Sequence, residues 1–272
     1  MSAAENDRSF TGSIAQVYDD LFVPLLFEDY ARDLAARVAA RGPARVLEIA
    51  AGTGAVTREL ARLLPADTVL IATDLNPGMI ARGQIVGTAR PVEWRQADAM
   101  ELPFEDATFD AVVCQFGVMF FPDKAAAFAE ARRVLQPGGT LFFNTWDSLA
   151  DNDVPRTVDG AIAALLSDRA RSFMGRVPHG YHDVSVITED LACGGFDRPP
   201  EVVTLAKRSR ADSSRKAAMA LCQGTPMRLE IEALGPGMLE EATAIATRAL
   251  AREYGAGPID GKIQAHVVTV ER

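Results

Sequence analysis

The sequence has 272 residues, of which 48% are hydrophobic and 24% are charged, and its formal net charge is −9. A chain of this length and composition can bury a substantial core, as ordinary globular enzymes do. The acidic balance argues against a nucleic-acid substrate, because nonspecific affinity for DNA or RNA depends on neutralising phosphates with Lys and Arg.

The sequence contains no pattern that indicates export or membrane insertion. Its longest apolar runs, such as 111–121, are too short or too interrupted to span a bilayer, and its first residues lack the order of a signal peptide. We therefore expect a cytoplasmic protein. The three cysteines lack the paired spacing of a metal site or disulfide framework, so we predict packing roles for them and no bound metal. Whether the chain forms a homodimer is left open.

Strands and helices alternate through the first half of the chain. In chain order, we predict a helix at 27–40, a strand at 45–50, a helix at 55–64, a strand at 68–73, a helix at 77–87, strands at 91–97 and 109–114, a helix at 123–135 and a strand at 139–146. This alternation indicates a parallel sheet with helices on both faces.

The pattern changes after residue 146 and becomes mainly helical. We predict helices at 156–173 and 186–194, a strand at 201–207, helical segments at 212–223, 227–233 and 237–254, and a last strand at 263–270. We interpret the chain as one domain, 1–272, with a core at 27–146 and helical insertions at 150–183 and 208–258 that cap the active site.

The most informative segment is 46–57, which reads V-L-E-I-A-A-G-T-G-A-V-T. A short apolar strand leads into a glycine-rich turn and then into a helix. Gly52 and Gly54 lack Cβ atoms where the backbone must turn and a ligand must approach the peptide. A nucleotide-like ligand is expected at the carboxyl end of this strand.

Two further strands end in acidic residues, Asp74 and Asp98. A carboxylate at the first position can accept both hydroxyls of a ribose, and one at the second can accept the amine of a purine while the N–H of Ala99 meets the ring. Taken alone, Asp74 could equally cap the next helix, and Asp98 could be a solvated loop residue.

A dinucleotide site would use similar parts, with a third glycine at the helix start. Thr57 occupies that position, and the charge of Glu48 would repel a pyrophosphate while attracting an ammonium and a sulfonium. These residues favour S-adenosylmethionine over NAD.

Read in order, the motifs at 48–54, Asp74, 98–99, 109–114 and 135–139 resemble those of class I S-adenosylmethionine-dependent methyltransferases. The resemblance covers about two fifths of the chain, and Ala50 departs from it where many members have glycine. It implies a doubly wound, seven-stranded, mostly parallel α/β sheet with an antiparallel edge, in which the last two strands pair. The cofactor-binding residues that it implies are Glu48, Ala50, Gly52, Gly54, Asp74, Leu75, Asp98, Ala99, Gln115 and Phe116.

The helical insertions would close the cleft over a small organic acceptor. We predict catalytic roles for Gln115, which follows the fourth strand, for Tyr18 over the methionine end of the cofactor, and for His182 as a base, with His179 less favoured. Tyr18 could instead be a packing anchor, and a loop histidine is more often a surface residue. Two other functions stay open: an NAD(P)-dependent oxidoreductase, and a regulatory protein that binds S-adenosylmethionine without turnover.

Overall fold

The protein is described from a computed structural model, which covers residues 14–165, 172–255 and 257–272. Its strands are β1 (Arg45–Glu48), β2 (Val69–Asp74), β3 (Glu93–Gln96), β4 (Phe109–Gln115), β5 (Leu135–Trp146), β6 (Glu201–Ala211) and β7 (Ile259–Glu271). They form one sheet in the order β3-β2-β1-β4-β5-β7-β6. The first five strands pair in parallel, and β7 runs antiparallel to both β5 and β6. The predicted doubly wound sheet is confirmed, and its last two strands form the antiparallel pair at one edge.

Helices surround this sheet in the described residues. They are α1 (Ile14–Val17), α2 (Glu28–Ala39), α3 (Ala55–Leu63), α4 (Pro77–Val86), α5 (Lys124–Val134), α6 (Asp153–Ile162), α7 (Phe173–Arg176), α8 (Val184–Cys193), α9 (Ser214–Gln223), α10 (Met227–Glu232) and α11 (Met238–Tyr254). A wider π-helical stretch, Tyr18–Phe27, joins α1 to α2 without a break.

The two faces of the sheet belong to two apolar clusters because successive strand residues point to opposite faces. Val46 packs with α2 and α3 in the smaller cluster, whereas its neighbour Leu47 lies in the larger cluster on the other face. Both residues are fully buried. This burial on both sides explains why β1 reads as a continuous apolar run rather than an alternating one.

The strand order reverses between β1 and β4. From β1 the chain builds outward to β2 and β3, and then returns to place β4 on the other side of β1. In open α/β sheets, ligands bind in the crevice at the carboxyl ends of the strands where the order reverses. A ligand site is therefore expected among the residues that follow β1 and β4.

Several predicted elements differ from the observed ones. The helix predicted at 27–40 extends back to Ile14, and β6 and β7 are longer than predicted because each pairs along its length with a neighbour. The helix predicted at 156–173 starts earlier and ends at Ile162, and its residues 166–171 lie outside the described part of the chain. The packing role predicted for Cys193 is wrong, since this residue is exposed at the end of α8.

Candidate active site

A cavity of about 710 Å³ lies at the carboxyl ends of β1, β2 and β4, and we call it the main cavity. It contains most of the residues that the sequence predicted for the site. The predicted residues that line it are Tyr18, Ala50, Gly52, Asp74, Leu75, Asp98, Ala99, Gln115 and Phe116. The sequence did not single out the other lining residues, Asn76, Met79, Ala97, Gly117, Phe120, Phe121 and Pro122. These residues either follow the same strand ends as the predicted residues or lie on α4. Their closeness in sequence to the predicted residues is the only feature that could have indicated them.

Asp74 holds the glycine-rich turn in place. The Gly52 N–H donates to its Oδ2 (2.8 Å), and the Asn76 N–H donates to its Oδ1 (2.8 Å). Burial raises the pKa of this carboxyl, while those backbone donors oppose the rise. Oδ2 retains a lone pair, whereas Oδ1 also accepts from the Asn76 side-chain amide at 3.4 Å, a long bond that a ligand hydroxyl can replace. The carboxylate can therefore still accept hydrogen bonds from a ligand.

Glu48 lies beneath the turn rather than in the main cavity. It lines a smaller cavity of about 250 Å³ together with Tyr18, Thr53 and Gln115. Thr57 Oγ1 donates to Glu48 Oε2 (2.6 Å), so the residue that replaces the third glycine supports this carboxyl. Burial raises the pKa of Glu48 to about 8, against the opposing effect of the Thr57 hydrogen bond. A cationic ligand group beside it would favour the ionised form.

Gly54 does not line the main cavity. Its φ is +87°, and a Cβ there would lie 2.7 Å from Cη2 of Trp94 on β3. Packing against Trp94 therefore requires glycine at this position whether or not a ligand contacts it. Ala50 also has a positive φ, +51°, so it adopts the left-handed conformation that glycine adopts more easily.

The end of β4 carries a strained residue that a neighbouring strand supports. Phe116 has φ of +52°, and its N–H donates to Asn144 Oδ1 on β5 (3.0 Å). Because a backbone N–H only donates, the amide nitrogen of Asn144 must face Gln115, to whose Oε1 it donates at 3.4 Å. Asn144 is fully buried and holds both residues, a role that no sequence motif indicated.

Tyr18 lines the main cavity, the cavity at Glu48 and a further cavity described below. Tyr18 is partly buried, and desolvation together with the nearby carboxylates of Asp74 and Asp19 raises its pKa well above the usual range, so the hydroxyl is neutral. The neighbouring Asp19 attaches this stretch of helix to the core. Its carboxylate accepts from Thr53 Oγ1 (2.8 Å) and forms ion pairs with Arg82 (3.0 Å) and Arg58 (3.4 Å).

The further cavity, of about 470 Å³, adjoins the main one, and we call it the aromatic cavity. Its lining comes from the π-helical stretch, the ends of β4 and β5, and both helical insertions. The lining residues are Tyr18, Phe22, Leu26, Phe27, Phe116, Phe120, Trp146, Pro155, Phe173, Met174, Pro178, His179, Leu221, Thr225 and Pro226. Phe116 stacks on Trp146 with ring centroids 3.9 Å apart.

The two loop histidines occupy different surroundings. His179 is 3% exposed and lines the aromatic cavity, whereas His182 is exposed and lies on neither cavity wall. The His182 ring contacts the backbone instead, with Nδ1 2.8 Å from the His179 carbonyl oxygen. The base predicted at His182 thus lies outside the cavities, and the less favoured histidine lies inside one.

The described residues show neither a metal-binding cluster nor a membrane-spanning helix. They contain no cluster of His, Cys, Asp and Glu side chains arranged to hold a metal ion. Among their helices, none is both long and apolar enough to cross a bilayer.

Comparison with known families bears on the segment that forms most of the main cavity. Residues 47–143 match the family model described as a methyltransferase domain. This segment is a methyltransferase domain. The match confirms, over this segment, the sequence-based resemblance to class I S-adenosylmethionine-dependent methyltransferases, a class whose cofactor is S-adenosylmethionine.

The domain is similar to curated enzymes over its core only. A ubiquinone/menaquinone biosynthesis C-methyltransferase of Teredinibacter turnerae is 43% identical over 101 residues, which are 36% of this chain and 41% of the relative. A demethylmenaquinone methyltransferase of Deinococcus radiodurans is 39% identical over 112 residues, covering 40% of this chain and 46% of the relative. The chain therefore spans less than half the length of these relatives.

A solved structure resembles the chain over nearly its whole length. It is a Haemonchus contortus N-methyltransferase in complex with phosphomonomethylethanolamine and S-adenosylhomocysteine, with a TM-score of 0.61 and 17% identity. The alignment covers 99% of this chain and 60% of that protein. At this identity the similarity concerns the fold alone.

Proposed function

We propose that this chain is an enzyme that transfers the methyl group of S-adenosylmethionine to a small, largely apolar organic acceptor. The observation that carries the proposal is that the main and aromatic cavities share Tyr18, Phe116 and Phe120. A ligand in one cavity therefore lies beside a ligand in the other. Holding two reactants in line in this way can lower a barrier by about 7–11 kcal/mol in favourable model reactions.

The main cavity supports a specific orientation of the cofactor. Asp74 would accept the ribose hydroxyls with its remaining lone pairs, and Asp98 and Ala99 would meet the adenine. Asp98 Oδ1 already accepts the Met100 N–H (2.9 Å), which holds its carboxylate in one orientation. The methionine end would then point toward Glu48 and Gln115. The other predicted contacts are Ala50, Gly52 and Leu75 on the cavity wall, with Phe116 at its boundary and Gly54 supporting the turn from behind.

The aromatic cavity supports an apolar acceptor. Most of its lining is aromatic or aliphatic, and most of that lining is buried. Transfer of an apolar ring from water to such a site is favourable by about 25 cal/mol for each Å² of apolar surface removed from water. The curated relatives are named for ubiquinone, menaquinone and demethylmenaquinone, which is consistent with a ring compound of this kind.

In the proposed reaction, the main contribution of the protein is to position the cofactor and the acceptor. Tyr18 would cover the methionine end of the cofactor with a neutral hydroxyl, and Gln115 would present its amide between the cofactor and the acceptor. A base at His182 stays a prediction, and its exposed position gives it no support. The expectation that the partner is a small molecule rather than a nucleic acid also stays a prediction.

Two measurements test the proposal against its rivals. Calorimetry should show binding of S-adenosylhomocysteine and none of NADH; the reverse result would favour an oxidoreductase. Methyl transfer from labelled S-adenosylmethionine should then be measured across hydroxylated, aminated and quinone-type ring compounds. Tight cofactor binding without transfer to any of them would favour a regulatory protein that lacks turnover.

A further inference from the structure

His179 contributes an imidazole, a ring with two nitrogen atoms, to the wall of the aromatic cavity. It follows α7 in a loop and is almost completely buried. Its Nδ1 lies 2.8 Å from the carbonyl oxygen of Asp147, just after β5, and its ring centroid is 6.0 Å from that of Trp146. The backbone immediately after β5 therefore fixes the orientation of the imidazole.

The hydrogen bond to Asp147 determines where the imidazole proton lies. A carbonyl oxygen only accepts, so Nδ1 must carry the hydrogen. Burial, with a smaller contribution from His182, lowers the pKa of His179 to about 4, and Asp147 opposes this decrease. The ring is thus neutral near pH 7, and Nε2 carries an unprotonated lone pair. No donor from the described part of the chain forms a hydrogen bond with Nε2.

His179 lines the aromatic cavity, where its Nε2 can accept a hydrogen bond from a ligand. The other polar groups on the cavity wall are the hydroxyls of Tyr18 and Thr225, and Thr225 Oγ1 donates to the Leu221 carbonyl (2.8 Å). Because Nε2 receives no hydrogen bond from the described residues, a ligand that donates to it gains a hydrogen bond without displacing one within the protein. The suitable ligand carries a hydroxyl on an otherwise apolar body.

We propose that His179 is a catalytic residue, whose Nε2 accepts the hydroxyl hydrogen of a neutral, hydroxylated aromatic acceptor and thereby directs methylation to that oxygen. This inference rests on the proposed function, and it names the acceptor class of the aromatic cavity.

The step balances without an additional reactant. The acceptor oxygen forms a bond to the methyl carbon while the bond between that carbon and sulfur breaks. The electron pair of the broken bond stays on sulfur. The hydroxyl proton passes to Nε2 of His179 and later to water. His179 is a weak base toward a free hydroxyl, but an oxygen that has gained a methyl group is strongly acidic, so the proton moves late in the step. The positive charge that leaves sulfur ends on the imidazole.

The first test measures binding with the cofactor site filled and turnover excluded. Calorimetry in saturating S-adenosylhomocysteine should compare 2-naphthol with its ether, 2-methoxynaphthalene. We expect wild-type protein to bind the naphthol about three- to tenfold more tightly, since one neutral hydrogen bond distinguishes the two. Equal affinities, or no detectable binding of either compound, would overturn the inference.

Two matched variants assign the preference to Nε2. In H179N the shorter amide can keep the bond to the Asp147 carbonyl but does not reach the position of Nε2, whereas H179Q can place an acceptor there. We expect the preference for naphthol to vanish in H179N and largely persist in H179Q, with unchanged melting temperature and affinity for S-adenosylhomocysteine. An undiminished preference in H179N would overturn the inference. Loss of cofactor binding by the wild-type protein would instead count against the proposed function.

The second test identifies the methylated atom. Labelled S-adenosylmethionine and 2-naphthol should give 2-methoxynaphthalene, with kcat reduced at least tenfold in H179N and less in H179Q. A product methylated on a ring carbon would contradict direction of the methyl group to oxygen. That result would support the proposed methyltransferase function and would rule out the proposed role of His179.

Discussion

Asp74 combines two roles at a single residue, because it anchors the turn and faces the main cavity. Replacement by Ala would leave the N–H groups of Gly52 and Asn76 without their acceptor. We expect Asp74→Ala to reduce affinity for S-adenosylhomocysteine at least tenfold and to lower the free energy of unfolding by about 1–3 kcal/mol.

The matched variant for this prediction is Asp74→Asn. Its amide oxygen can keep one of the two backbone bonds, so we expect a smaller loss of stability with most of the loss of affinity. Calorimetry and denaturant unfolding measure the two effects. Unchanged affinity in both variants would remove Asp74 from the binding site.

Glu48 makes stability depend on pH. Its pKa is raised from 4.5 to about 8, so between these values the folded chain binds more protons than the unfolded chain. The free energy of unfolding should therefore fall as pH rises through this window, by up to a few kcal/mol. Glu48→Gln keeps an acceptor for Thr57 and does not titrate, so its stability relative to wild type should be greater at pH 8.5 than at pH 5.

Melting temperatures of wild type and Glu48→Gln at the two pH values test this prediction. If the ammonium of the cofactor lies beside Glu48, binding should also release up to one proton in the wild type and less in the variant. Calorimetry in buffers of different ionisation enthalpy measures that release. Identical pH dependence in the two proteins would show that Glu48 is not the titrating group.

The residues that the sequence identified best are those at strand ends. Asp74 and Asp98 could be predicted because the sequence shows where β2 and β3 end, and parallel strands bring those ends to one edge of the sheet. The sequence favoured His182 over His179 without knowing which is buried, since both lie in one loop and only tertiary packing buries His179. The position of Asn144 depends on the register of β5 against β4, which the sequence does not specify.

At the scale of elements, Trp94 on β3 joins α3 and α4 beneath the turn. A Cβ on Gly83 of α4 would lie 2.6 Å from Cη2 of Trp94 and 3.1 Å from the Thr53 carbonyl oxygen. We expect Gly83→Ala to destabilise the fold by about 1–3 kcal/mol through overpacking. The double variant with Trp94→Leu should be less destabilised than the sum of the single variants, because the smaller side chain removes the clash.

Gly160 provides the control for this prediction. It lies in α6 with open space around its missing Cβ, so Gly160→Ala should be neutral or should stabilise by up to about 1 kcal/mol. Denaturant unfolding of the full set of variants measures the coupling. Strict additivity of Gly83→Ala and Trp94→Leu would contradict the packing explanation.

The π-helical stretch covers the cofactor turn and is held there by Asp19. Its carboxylate, 7% exposed as a side chain, pairs with Arg58 and Arg82. We expect Asp19→Asn to lower stability by about 1–3 kcal/mol and to speed dissociation of S-adenosylhomocysteine several-fold. Stopped-flow displacement measures that rate.

The neighbouring Asp20 is the matched control. Its side chain is 47% exposed and pairs with Arg82, so Asp20→Asn should change stability by less than about 1 kcal/mol. Equal dissociation rates in wild type and Asp19→Asn would show that this stretch does not limit ligand exit.

The central alternation of strands and helices was predictable because buried parallel strands read as short apolar runs between amphipathic helices. The helix from Ile14 to Phe27 was not, since it contains Pro24 and is apolar on several sides. The full lengths of β6 and β7 could not be predicted from the sequence either. They are set by pairing with each other across the helical segment 212–258, and β6 alternates only partly because it lies at the sheet edge.

For the whole molecule, one sheet unites both halves of the chain. The second half supplies β6, β7 and the helices whose loops complete the aromatic cavity. The cofactor half of the site could be predicted because it depends on local turns after consecutive strands. The acceptor half could not, because its wall comes from segments as distant as Tyr18, Trp146 and Thr225 that meet only in the folded chain.

A crystal structure of the chain with S-adenosylhomocysteine tests the central claim most directly. We predict ribose hydroxyls on Asp74, adenine beside Asp98 and Ala99, and the sulfur near Gln115 and Tyr18 with its open side toward the aromatic cavity. Binding of the ligand elsewhere, or no S-adenosylhomocysteine in the main cavity at a saturating concentration, would contradict the proposed cofactor site.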